Sequence, residues 1–137
     1  MLDSAIPAIL KHKMDLIVIA NKPYILPTGF SGKVNVKNYP WNEKTVHDDL
    51  CKADIIINPR YDKGRWKYKS NNKTVLGWAL GMPVAHTEQE LAALIDEAPR
   101  KAEADKRYEE AKNSYNVLAS VEEWKDLILE IKKGKGN

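Results

Sequence analysis

The chain has a single cysteine, Cys51, and a single phenylalanine, and no apolar run long enough to cross a bilayer. One thiol excludes any intramolecular disulfide framework, and the expected setting is a reducing cytoplasm. The longest apolar runs, residues 15–20 and 53–57, fall far short of the roughly 18 residues that a membrane span requires. No basic segment followed by a long apolar one opens the chain, so no signal peptide is expected. His12, His47 and His86 lack ligand spacing, and neither a metal site nor a cofactor is expected. No Walker loop and no Ser–His–Asp signature occurs. Internal repeats are absent too, and the short lysine- and glycine-rich stretch 132–137 is the lone low-complexity segment.

The rest is close to ordinary soluble usage: 137 residues, 43% hydrophobic and 30% charged. That length suits one domain, expected over residues 1–132, with a flexible tail over 133–137. Lysine and arginine number 22 against 19 acidic residues, a net charge of +3 that does not by itself point to nucleic acid.

The pattern along the chain predicts alternating helices and strands. Residues 2–11 read as a helix that Asp3 and Ser4 cap, with Pro7 near its first turn. Leu16–Ala20 is a nearly continuous apolar run rich in β-branched residues and reads as a buried strand. Two prolines and two glycines make residues 21–32 a loop, and residues 33–36 alternate as a short strand. Asn42 is expected to cap a helix reaching about Lys52, with Val46, Leu50 and Cys51 facing inward. Cys51 is expected to pack as a small buried side chain rather than to act as a nucleophile.

Residues 55–57 read as a second buried strand, and residues 58–70 as a basic loop. A helix over 71–80 ends at Gly81, and 83–85 is a third short strand. Thr87 and Glu90 form a capping box ahead of Leu91, Leu94 and Ile95. Residues 102–115 form a charged helix, and Ser120 caps a last helix. Its inner face is expected to be Val121, Trp124, Leu127, Ile128 and Ile131. Trp78, Trp124 and Leu127 read as core. This α/β order predicts a parallel sheet with helices on both faces. Ligands of such sheets bind beyond the carboxyl ends of the strands.

One block is more specific. Asp54-Ile55-Ile56-Ile57-Asn58-Pro59 leads through the basic loop to Lys69-Ser70-Asn71-Asn72-Lys73, and then to Ala79-Leu80-Gly81-Met82-Pro83-Val84. The succession resembles the donor-binding, C-terminal domain of GT-B-fold glycosyltransferases, with its "D-I-x-I-x-P", "K-S-x-N-K" and "A-x-G-x-P-V" patterns. Tyr39-Pro40-Trp41-Asn42 with Thr45 fits that family's strand-to-helix turn, and the helix carrying Trp124 resembles its closing helix. The resemblance implies a Rossmann-like domain binding a nucleoside-diphosphate sugar, and a transferase that is incomplete and not catalytic as this chain alone. It also implies a separate acceptor-binding domain and a missing first strand. That strand would lie between those at 16–20 and 55–57, so an open sheet edge and a homodimer covering it are expected.

The charges suit such a ligand. Arg60, Lys63, Arg65, Lys67, Lys69 and Lys73 stand against only Asp62, and a helix start exposes backbone N–H groups to phosphate. The donor-phosphate candidates are Lys69, Ser70, Asn71, Asn72, Lys73 and Arg65; Trp41, Pro59, His86 and Thr87 are candidates for base or sugar contacts. Trp41 serves equally well as a hydrophobic anchor, and the outer basic residues as a solvated surface. Two positions depart from the family: Leu76 and Tyr68 stand where many retaining members have glutamates. These losses favour a non-catalytic binding or assembly module of the same fold. A third reading is a nucleic-acid module in which Trp66 and Tyr68 stack on bases.

Overall fold

The structure, a computed structural model, describes residues 2–59 and 70–134. Among these residues the chain is mixed α/β. A 3-10 turn at Leu2–Ala5 leads into α1 (Ile6–Lys11), followed by β1 (Leu16–Ala20), β2 (Val36–Pro40), α2 (Val46–Leu50) and β3 (Ile56–Ile57). Then come α3 (Asn72–Ala79), β4 (Val84–Ala85), α4 (Glu88–Ala93), α5 (Glu97–Ser114) and α6 (Val117–Gly134). The strands pair in parallel as expected, but in two separate two-stranded sheets, β1–β2 and β3–β4.

One core joins the two sheets. Ile6 and Ile9 of α1 pack with Leu16, Val34, Ile55, Ala85, Leu91 and Leu94. A second cluster unites Trp78 of α3, Val84 and Ala111 of α5, with Ile56 and Val75 against it. The two-residue period of a strand explains this division. Ile55, Ile57 and Ala85 turn to the α1 and α4 side, whereas Ile56 and Val84 turn to α3 and α5. Helices therefore cover both faces of β3–β4.

Several local expectations are corrected. Asp3 caps nothing; its carboxylate accepts a 2.6 Å hydrogen bond from the Tyr24 hydroxyl, and α1 has no side-chain cap. β2 lies at Val36–Pro40 rather than 33–36, because its register against β1 pairs Val36 with Leu16 and Pro40 with Ala20. α2 starts four residues after Asn42, whose side chain instead accepts from the Lys44 N–H in a tight turn at 2.9 Å. Within α2, Asp49 is the buried residue, and Cys51 is exposed.

α6 begins at Val117, and Asn116, not Ser120, caps it by accepting from the Ala119 N–H at 2.8 Å. The helix runs on to Gly134, into the stretch expected to be a tail. Trp78 is core, but Trp124 is 65% exposed and Leu127 is exposed as well. The apolar stripe of α6 has no place in either core cluster. No helix among the described residues is long and apolar enough to cross a membrane.

Candidate functional site

The carboxyl ends of β3 and β4 and the start of α3 meet in one hydrogen-bonded cluster. Asn58 follows β3 and is tied to it by its own N–H, which donates to the Ala85 carbonyl at 2.9 Å. Its side-chain amide donates to Thr74 Oγ1 at 3.0 Å, in the first turn of α3. Thr74 is fully buried, so this bond satisfies a hydroxyl that water cannot reach. The Asn58 carbonyl lies 2.8 Å from His86 Nδ1. A carbonyl only accepts, so Nδ1 carries the proton and Nε2 is the ring nitrogen left for a ligand.

The loop after β4 is fixed by the capping box. Thr87 Oγ1 accepts from the Glu90 N–H at 3.1 Å, and Glu90 Oε2 accepts from the His86 N–H at 2.6 Å. The carboxylate reaches one residue further back than the usual box, to His86 rather than to Thr87. His86 is therefore held at both its backbone and its ring. Gly81 makes the return from α3 possible, with φ at 69° just past the helix end.

α3 begins at Asn72 with Asn71 as its cap residue, and the Thr74 and Val75 N–H groups both donate to the Asn71 carbonyl. Lys73 lies on the exposed side of that first turn and lines a cleft of about 770 Å³. Asn58, Leu76 and Trp41 line the same cleft, Trp41 coming from the end of β2. Trp41 is 53% exposed, which leaves its ring accessible for stacking rather than locked as an anchor.

The structure thus brings Asn58, Lys73 and Trp41 to one cleft, with His86 bonded to its wall. Pro59 follows directly, and Ser70, Asn71 and Asn72 lead into the same helix turn. Thr87 acts as a helix cap. Lys69 and Arg65, together with Arg60, Lys63, Trp66, Lys67 and Tyr68, lie outside the described residues.

Sequence reasoning missed Arg100. It sits in α5 and lines the cleft, its guanidinium donating to the Ile95 carbonyl at 3.0 Å. Nothing in the local pattern separates it from the other charges of that helix. Lys37 and Lys52 also line the cleft, but both are paired, with Asp15 at 3.8 Å and Asp49 at 2.6 Å. Lys73 and Arg100 carry no ion pair among the described residues. Comparison with known proteins adds nothing to this geometry: no family model, characterised protein or solved structure matches the chain.

Proposed function

We propose that the cleft binds the diphosphate of a nucleoside-diphosphate sugar, and that the chain is the donor-binding part of a Rossmann-like, GT-B-type glycosyltransferase in the cytoplasm. The observation that carries this reading is the convergence of Lys73, Asn58 and His86 at the carboxyl ends of β3 and β4. Lys73 and the first N–H groups of α3 supply charge and donors to phosphate, Arg100 adds a second cation, and Trp41 offers a face to the base. His86 Nε2 is available to a sugar hydroxyl. Lys69 and Arg65 belong to the same proposal through the basic loop. Catalysis requires both reactants in one geometry, so residues 1–137 alone are expected to bind donor and to transfer nothing.

Calorimetric titration with uridine and guanosine diphosphates tests this. Weak binding is expected, with Lys73→Ala losing about 1.5–3 kcal/mol, the range of a charge-assisted bond. Equal binding by Lys73→Ala would remove the phosphate assignment.

A second reading, a non-catalytic assembly module, is favoured by two observations. Leu76 lines the cleft as an apolar side chain where the resembled family has a glutamate. The exposed stripe of α6 gives such a module a surface for a second copy of the chain.

A further inference from the structure

The cleft is also the gap between two sheets, and its walls are strand edges. β1 contributes Ile17 and Ile19 to it, and the β3 region contributes Ile55 and Ile57. In a parallel ladder, alternate residues turn their N–H and C=O groups to opposite edges. On β1, the Leu16 N–H donates to the Asn35 carbonyl and the Ala20 carbonyl accepts from the Trp41 N–H, so the even-numbered residues face β2. Ile17 and Ile19 therefore direct their backbone groups away from β2, toward the cleft.

The same holds on the other side. Ile56 and Asn58 donate to the Pro83 and Ala85 carbonyls of the β4 side, which leaves Ile55 and Ile57 facing the cleft. Ile17, Ile19 and Ile57 thus each offer one donor and one acceptor, Ile55 offers its carbonyl, and no ladder joins β1 to β3 among the described residues. Ile9 of α1, Leu50 of α2 and Leu76 of α3 bring apolar side chains to the same cleft beside its charged lining.

We infer that the cleft between β1 and β3 is a slot for one added β-strand, an extended apolar segment of a separate polypeptide running parallel to β1. Only a backbone satisfies two rows of backbone groups at once. Apolar side chains on helices α1, α2 and α3 call for apolar residues on both faces of that strand, as in any buried parallel strand. Residues 60–69 and 135–137 do not suit it. Residues 60–69 include five basic side chains and Gly64, and residues 135–137 are only Lys-Gly-Asn. The strand would convert the two sheets into one of five strands. This inference stands on the strand edges and does not depend on the nucleotide reading, which concerns the carboxyl-end rim of the cleft at Asn58 and Lys73.

The test uses the full chain and an N-acetylated peptide, Thr-Val-Ile-Val-Ile-Thr-Lys-Lys, with a control in which proline replaces its first isoleucine. Hydrogen exchange read by nuclear magnetic resonance should show the Ile17, Ile19 and Ile57 amides exchanging fast in the free chain. The peptide should protect them and the proline control should not. Ile57→Pro removes a slot-facing N–H that the β3–β4 ladder does not use. It should weaken the peptide by about tenfold, the equivalent of 1.4 kcal/mol, with an unchanged circular dichroism spectrum. If Ile57→Pro unfolds, the peptide pair alone decides. The inference is overturned by no binding at millimolar peptide, by equal protection from the proline control, or by protection in the free dilute chain. Protection that rises with protein concentration alone would assign the slot to a second copy and overturn it too.

Discussion

Lys13 occupies the left-handed region at φ 54°, just past the end of α1. The turn there is a complete Schellman motif: the Met14 N–H donates to the Ile9 carbonyl at 3.0 Å and the Lys13 N–H to the Leu10 carbonyl at 3.1 Å. A side chain in that conformation costs roughly 1–2 kcal/mol, against a backbone-entropy cost for glycine of about 0.5–1 kcal/mol. Lys13 is exposed, so its side chain has little packing to lose. Lys13→Gly is therefore expected to stabilise the fold by about 0.5–1 kcal/mol in a urea melt. Tyr24 makes a second prediction. Burial, then the hydrogen bond and the charge of Asp3, push its hydroxyl up to about 12 from the ordinary 10.0. A raised folded value means that the contribution is complete below 10.0 and is lost as pH rises through about 12. Ultraviolet titration should show a late tyrosine signal that is lost in Tyr24→Phe, and the stability advantage over that variant should vanish across the same window. Neither residue was legible beforehand, because a left-handed lysine and a contact between Asp3 and Tyr24 have no local sequence signal.

Elements were legible where the signal is local. The capping box at Thr87, the stop at Gly81 and the strand Leu16–Ala20 stand where the pattern puts them. Starts set by competition were not. Asn42 and Ser120 have capping side chains, but Thr45 and Asn116 precede the helices that form. β2 takes its position from its partner's register, which lies outside its own sequence. The site follows the same division: Asn58, Lys73 and His86 belong to loops that the alternation of strands and helices places at one edge, whereas Arg100 arrives from a distant helix. Two substitutions test the elements. Thr87→Ala deletes the cap on Glu90 and should cost about 0.5–2 kcal/mol by chemical denaturation. Gly77→Ala is a helix-interior change that propensity alone would favour by about 1 kcal/mol. A Cβ there, however, would stand 2.7 Å from Val84 Cγ2 and 2.9 Å from Ile56 Cδ1. Val84 is buried and stiff at χ1, so it cannot swing away. Overpacking of about 1–3 kcal/mol should prevail, and Gly77→Ala is expected to melt lower than the parent.

At the scale of the whole molecule, α6 is an amphipathic helix with no core to face among the described residues. Val117, Val121, Trp124, Ile128 and Ile131 follow a four-three spacing, the seam of a coiled coil. Each is at least 40% exposed. The period was legible in the sequence and the partner was not, because a stripe states that something covers it without naming the cover. Among the described residues no element covers it: α5 uses Ala111 and Arg107 against Trp78 of α3, with the guanidinium 4.8 Å from the ring centroid, and α6 belongs to neither core cluster. A second copy is the simplest occupant, since a two-fold axis brings the same stripe against itself. The assembly reading thus predicts a dimer through α6, separate from the strand slot between β1 and β3. Sedimentation velocity at tens of micromolar should show it, and the paired change Trp124→Glu with Ile128→Glu should give a monomer. The melt of that monomer, extrapolated to low concentration, should match the parent, because no α6 side chain belongs to either core cluster. A parent that sediments as a monomer would remove the dimer. A variant that melts well below the dilute parent would mean instead that the stripe packs within its own chain.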